Sequence, residues 1–418
     1  MPELATNTEK CMNVQVQRHS RELEPQNHNA VGTPGAVVIG GDYQGLGIVR
    51  SLGRRGIPVC VVDDELSISR FSRYATSGFH VPDLRHADRV IETLMDLGQR
   101  LDLAGWVLFP TRDELVAALS QQRSTLSQCF RVPTQDWETI RWVWDKRNTY
   151  QLAKELKIPI PETWFPETSE DLDQITTPFP LALKPAIKEH FFYATKDKAW
   201  RVSSPAELRK LFLRASALAG PGGILIQDLI PGGGSQQFSY CAFVKDGNAV
   251  GSMVVRRRRQ HPHDFGRAST FVETVDMPEV EKLSERFLQA IHYYGLVEIE
   301  YKLDPRDGEF KLLDVNARTW GYHTLGARAG VDFPYLLYAD QIGHAVEPCR
   351  GQPGISWIRL LTDLPAGLVD VWRGRLGCRD YLKSLREFHT EAVFSLRDPF
   401  PGIIECALLP YLMAKRGF

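Results

Sequence analysis

The run GLVEIEYKLDPRDGEFKLLDVNART, from Gly295 to Thr319, constrains the fold more than any other stretch of the chain. In its first half Val297, Ile299, Tyr301 and Leu303 alternate with Glu298, Glu300 and Lys302. That period of two describes a strand with one apolar and one polar face. The centre, DPRDG, is turn chemistry. In the second half Asp314, Asn316 and Arg318 alternate with Val315 and Ala317. A five-residue loop from Pro305 to Glu309 sets Glu300 opposite Asp314 and Glu298 opposite Asn316. Two carboxylates and an amide oxygen then converge on one sheet face. Facing carboxylates repel unless a cation sits between them. Hard oxygen donors, with no His or Cys, suit Mg²⁺, which keeps waters and takes other ligands from substrate phosphates. Arg318, one step further on that face, is placed to meet a phosphate or a developing oxyanion. A solvated hairpin would carry the same alternation, so the rest of the chain decides between the two.

Residues 1–34 are polar, without period, and read as a disordered tail. Order begins at AVVIGG, a short buried strand at Ala36, followed by a helical stretch from Gly45 and a second strand, IPVCVVDD, from Ile57. Strand, Gly-rich turn, helix and strand make a βαβ unit of a parallel sheet. A helix at Ala87–Leu101 and a strand ending at Pro110 complete a small doubly wound domain over 35–140. Residues Trp142 to Leu156 read as one helix. From about 179, short strands alternate with helical runs near Pro205–Ala219 and Glu279–Tyr294, an α+β region. After about Gly343 comes a mostly helical extension, with no chemical role legible in it. No repeat or low-complexity tract is present.

With 418 residues, 50 Lys plus Arg against 51 Asp plus Glu, and a formal charge of −1, the overall balance offers no electrostatic case for a dedicated nucleic-acid or anionic-membrane binder. No nucleic-acid partner and no transmembrane segment are expected. Seven scattered Cys, no two closer than 28 residues, exclude a CxxC site and argue against a secreted disulfide framework. The start MPELATNTEK lacks the pattern of a secretory signal. A cytoplasmic multidomain α/β enzyme is the expectation.

The acidic hairpin, together with two lysines and a hinge in order, resembles the ATP-grasp superfamily, and within it the predicted carboxylate–amine ligases. The resemblance runs from about Ala36 to about Gly343. DVNAR is similar to that family's Glu-x-Asn-Pro-Arg signature, with Asp314 in place of the usual Glu. The resemblance implies that Glu300, Asp314 and Asn316 bind two Mg²⁺ ions and that Arg318 stabilises the transferring group. Asp145-Lys146 looks like the Asp-Lys preceding the ATP-binding domain, and Lys184 in PLALKP like the second nucleotide lysine. IQDLIPGG resembles the adenine hinge, with backbone contacts from Asp228 and Ile230 and a bond to the adenine amino group at Gln227. The resemblance also implies an N-terminal pre-ATP-grasp domain at 35–140, an ATP-grasp domain of two α+β subdomains clasping ATP at 141–343, and an extension at 344–418. The implied activity joins a small-molecule carboxylate to an amine through an acyl phosphate, releasing ADP and phosphate. The family's glycine-rich loop over the phosphates is missing from AIKEHFFYATKDKAW, where Lys188, Lys196 and Lys198 offer charge instead. The sequence is silent on oligomeric state.

Weaker signals remain. GGDYQGLG with Asp63 loosely resembles a dinucleotide turn, so a Rossmann-type NAD(P) oxidoreductase is one rival. A nucleotide-binding module without catalysis is the other. Arg112 and Asp113 end a strand where open sheets place ligands. SRFSRY, Ser69 to Tyr74, resembles a recurrent segment of these ligases without a known role. In the run Arg256–Arg259, one alternating pair can face a cleft while the other is solvated. Glu273 is a weak site candidate. His261 and His263 lack a third ligand for a metal.

Overall fold

The computed structural model describes residues 33–416 except 263, 264 and 267. The expected tail up to residue 32, and His263, lie outside the described residues.

Ala36–Ile39, Val59–Asp63, Ser77–His80 and Val107–Pro110 form a four-stranded parallel sheet. The strands AVVI and VLFP are buried throughout, as strands covered on both faces must be. The glycines after the first strand serve the turn itself. Gly40 has φ +92°, and a Cβ there would meet Thr111 Oγ1 at 2.1 Å.

A second, four-stranded sheet runs in the order Thr163–Trp164, Ile224–Asp228, Leu181–Pro185, Trp200–Val202, all antiparallel. The third sheet has eight strands. Its order is Phe310–Asn316, Gly295–Leu303, Gln237–Lys245, Asn248–His261, Ala268–Val275, Ser356–Ile358 and Thr390–Glu391, with Cys349–Arg350 pairing alongside Asn248–His261. The last 75 residues therefore supply strands to the central sheet as well as four described helices, from Leu360–Trp372 to Leu409–Arg416. One apolar core joins Val38 and Leu46 to Phe243, Met253, Trp357 and Val393.

Two local readings are corrected. The helix read over Trp142–Leu156 is broken at Asp145, which is extended (φ −102°, ψ 117°) between the helices Trp137–Trp144 and Lys146–Glu155. Its carboxylate accepts the Arg147 N–H at 2.9 Å, an N-cap that restarts the chain as a helix and puts Lys146 on its first turn. The interval expected to be a lysine-bearing loop contains a helix, Lys188–Thr195, closed by Lys196 in the left-handed region.

The hairpin keeps the expected pairing at its functional end by an unexpected route. Glu300 faces Asp314 and Glu298 faces Asn316, but nearer the turn Leu303 faces Phe310. The register shifts by one residue at Leu313, a β-bulge. The freed Leu313 carbonyl accepts the Tyr150 hydroxyl at 2.8 Å, which ties the Lys146–Glu155 helix to the bulge.

Candidate active site

A cleft of about 340 Å³ opens between the parallel sheet and the central sheet. Glu298, Glu300, Asn316 and Arg318 line it from the hairpin, and Arg257 from the central sheet beside it. Lys188, Lys196 and Lys198 line it from the helix that stands where the glycine loop was sought and from the residues just beyond that helix. Asp314 and Lys146 line a smaller hollow that shares Asn316 and Asp113.

The anionic centre is held by cations. Lys146 Nζ lies 2.8 Å from Asp314 Oδ1, and Arg257 Nη2 donates to Glu300 Oε2 at 3.3 Å. Burial alone would raise the Glu300 pKa, but Arg257, Lys198, Lys188 and Arg318 outweigh it and bring the group to about 2. Glu298 goes the other way, to about 7, through burial and the Glu300 charge. Tyr322 donates its hydroxyl to Glu298, and Asn316 Nδ2 donates to Glu298 at 3.2 Å and to Glu300 at 3.3 Å. The donor set that the hairpin offers is thus Glu300, Asp314 and the Asn316 amide, oxygen ligands only. Among the described residues no group of three or more His, Cys, Asp or Glu side chains gathers to cage a metal. Few protein ligands of hard oxygen character fit Mg²⁺ and do not fit Zn²⁺.

Arg318 is anchored across the cleft. Its Nε donates to Asp113 Oδ1 at 2.5 Å and its Nη2 to Asp113 Oδ2 at 3.3 Å and Asn316 Oδ1 at 3.2 Å. Lys188 Nζ reaches the same carboxylate at 2.8 Å. Burial opposes the charged form of Asp113, yet Arg318 and Lys188 hold its carboxyl far below the usual range. Asp113 opens the Asp113–Gln121 helix, where the helix dipole also favours an anion. It therefore positions Arg318 from the parallel-sheet side.

The expected nucleotide residues form a second group. Lys184 Nζ donates to Gln227 Oε1 at 2.6 Å, and Gln227 Nε2 donates to Thr163 Oγ1 at 3.0 Å. One lone pair of the Gln227 oxygen is thus already taken, leaving the other for the expected adenine bond. Burial, and then the charge of Lys146, lower the Lys184 pKa to about 8. The Asp228 N–H donates to the Glu162 carbonyl at 2.9 Å, and its carboxylate meets Arg306. The carbonyls of Ile230 and Gly232 each accept from Lys302 Nζ at 2.8 Å. Lys302 and Arg306, which strap this hinge to the hairpin, were missed in the sequence. The hinge groups they hold lie seventy or more residues away, and no local pattern marks them.

Other candidates separate cleanly. Arg256 and Arg258 pair with Glu273 at the exterior, so Glu273 has no place in the cleft. Arg257 and Arg259 point inward, Arg259 to Asp363 at 2.8 Å and Arg257 to the site. Arg112 lies on the cleft but is engaged by Asp64 at 2.8 Å and Asp63 at 3.3 Å. Asp63 in turn accepts the Gly41 N–H at 2.6 Å. The acid that would hold a dinucleotide ribose is thereby closed onto its own turn. SRFSRY braces the fold: the Ser69 N–H donates to the Gly41 carbonyl at 3.0 Å, and Ser72 Oγ donates to Asp398 at 2.7 Å.

No family model matches the chain. A D-aspartate ligase of Enterococcus faecium is 26% identical over 301 residues, covering 68% of this chain and 70% of that protein. Among solved structures, biotin carboxylase from Campylobacter jejuni superposes with a TM-score of 0.60 at 16% identity, covering 74% of this chain and 71% of that one. An L-amino acid ligase from Bacillus licheniformis gives 0.58 at 15%, covering 75% of each. N5-carboxyaminoimidazole synthetase from Staphylococcus aureus, complexed with ADP, gives 0.60 at 14%, covering 77% of this chain and 80% of that one. At these identities the three structural likenesses are likenesses of fold.

Proposed function

We propose that this chain, an ATP-grasp protein of the carboxylate–amine ligase group, joins a carboxylate to an amine through an acyl phosphate, releasing ADP and phosphate. The observation that carries the reading is the Glu300–Asp314 cross-strand pair, ringed by Lys146, Arg257 and Arg318. Two carboxylates do not sit opposite each other among so many cations without an ionic task. In this reading residues 35–140 are a pre-ATP-grasp domain, 141–343 the ATP-grasp domain and 344–418 an extension, in a cytoplasmic enzyme.

Glu300, Asp314 and Asn316 would hold Mg²⁺, two ions in this reading, which would supply charge neutralisation to the triphosphate. Lys146 and Lys184 offset the remaining charge of the nucleotide, and Asp228 and Ile230 take its adenine through backbone groups. The substrate carboxylate attacks the γ-phosphorus in line, and ADP leaves. The amine then attacks the acyl carbon and phosphate leaves, with Arg318 stabilising the oxyanion. Position and charge do the catalysis, and no nucleophilic side chain takes part. The test is product analysis with amino-acid carboxylates, D-aspartate among them, and amine acceptors: ADP and phosphate are expected, and AMP with pyrophosphate overturns the route. ATP binding without turnover under every acceptor would instead favour a module that has lost catalysis. That reading draws on the Lys146–Asp314 ion pair, which occupies one of the carboxylates the metals need.

The Lys184 ammonium makes nucleotide binding sensitive to pH. With its pKa near 8, the ammonium is charged below that pH and is lost above it. A triphosphate binds the charged form, so ATP affinity should fall from pH 8 to 9.5, by at most about tenfold per unit for one linked proton. Lys198, also near 8 through burial, adds to the slope. Calorimetric titration across this range should show the fall, and Lys184→Met should bind more weakly at pH 7 with a shallower profile. A flat profile in the unaltered protein contradicts the assignment.

A further inference from the structure

Among the described residues, sixteen large apolar side chains are exposed, and ten of them lie between 364 and 411. Leu364, Leu368 and Trp372 recur every fourth residue along the Leu360–Trp372 helix, 41, 60 and 83% exposed. That spacing makes one stripe on one helix face. The opposite face is committed inward: Asp363 is fully buried against Arg259, and a Cβ at Gly367 would touch the Tyr381 ring at 2.4 Å. On the Phe400–Ala407 helix, Phe400 and Ile403 are 61 and 59% exposed. A concentration of apolar surface of this kind marks an interaction site.

The charges of the same segment are sorted by depth. Arg373, Arg375, Arg379, Lys383, Arg386 and Arg397 are all exposed. The acids are largely spent inside: Asp398 on Arg50 and Glu405 on Arg359, with Glu391 accepting backbone N–H groups of Leu360, Val393 and Phe394. Asp380 and Glu387 are the exposed acids of the stretch 364–411, and Asp370 is half-buried. The near-zero charge of the whole chain, which gave no case for an anionic membrane, conceals a local cationic surface.

A largely exposed tryptophan beside arginines, at the end of an aliphatic stripe, is the make-up of helices that lie in a bilayer interface. A second copy fits less well, because a twofold contact would set this patch, and its cations, against itself. We propose that residues 360–411 seat the protein on an anionic lipid surface. No described helix is long and apolar enough to cross a membrane, so the contact is peripheral. Arg359 and Thr362 line the cleft, so the helix that walls the site in its first turn meets lipid in its later turns. The inference stands apart from the ligase reading.

The experiment sediments the full chain with vesicles of phosphatidylcholine alone and of phosphatidylcholine with phosphatidylglycerol, at low and physiological salt. Co-sedimentation is expected with the anionic vesicles, weaker as salt rises, and little with the neutral ones. Arg373→Gln with Arg379→Gln should lower the partition by about thirtyfold. Leu368→Ser with Trp372→Ser should abolish it, with an unchanged melting midpoint in both cases since all four positions are exposed. Absence of binding to either vesicle, equal binding to both, or variants that bind as the unaltered protein overturns the proposal. So does a dimer that Trp372→Ser breaks without any vesicle binding.

Discussion

Asp314→Asn is expected to lower ATP-dependent turnover by about 10²–10³-fold while the protein still binds ATP. The substitution keeps the shape of the side chain and removes half of the anionic pair opposite Glu300. It also frees Lys146, whose ammonium lies 2.8 Å from the carboxylate. A freed ammonium still attracts the triphosphate, so the loss should fall on kcat far more than on KM for ATP. The two side chains are only 14 and 23% exposed, so the cost in stability exceeds that of an open surface pair and is on the order of 1–3 kcal/mol. The contrast is Glu273→Gln, which removes a carboxylate of the same sheet that is paired with Arg256 and Arg258 away from the cleft. Its turnover should stay within about twofold, as surface substitutions usually do. Steady-state kinetics on both variants decide the matter: an active Asp314→Asn enzyme removes the metal assignment.

The second large effect concerns stability. Asp398, fully buried, accepts Arg50 Nε at 2.9 Å, Ser72 Oγ at 2.7 Å and the Arg73 N–H at 2.9 Å. Arg50 is itself buried, and its guanidinium also donates to the Val393 carbonyl at 2.8 Å. Burial lowers the Arg50 pKa, against the pull of Asp398. Asp398→Ala leaves that charge without its counter-ion, which costs about 3–5 kcal/mol in comparable buried pairs. Denaturant unfolding should register the loss directly. Replacing both Arg50 and Asp398 by apolar residues should recover part of it, because the penalty is the stranded charge rather than the missing bond. A double variant as unstable as the single one would show that the contact matters for its shape alone.

The hairpin was legible because its information is local. Strand alternation places Glu300, Asp314, Asn316 and Arg318 on one face without any knowledge of the remaining chain. The parallel sheet was legible for a similar reason, since continuous apolar runs separated by a helix admit few arrangements. What escaped was either capping or long-range. Asp145 interrupts a helix that apolar spacing carries straight through. Asp113 was marked as a substrate ligand from its place at a strand end, yet its carboxylate holds Arg318, 205 positions away. Arg50 meets Asp398 across 348 positions, and no periodicity connects them. The strands added by Ser356–Ile358 and Thr390–Glu391 are too short for a period to declare itself. The bulge did leave a trace: Leu312 and Leu313 are adjacent apolar residues inside an alternating run, which is how a slip of one place is written.

That slip makes the hairpin two independent rulers joined by a vernier. The turn end counts in one phase and the acidic end in the other, so the loop between Asp304 and Glu309 can be rebuilt without moving the acids. Deleting Leu313 alone would remove the bulge, leave Leu312 opposite Tyr301 and Asp314 opposite Glu300, and take away both the added local twist and the carbonyl that accepts the Tyr150 hydroxyl. In this hairpin the residue without chemistry sets the angle at which the chemistry is presented.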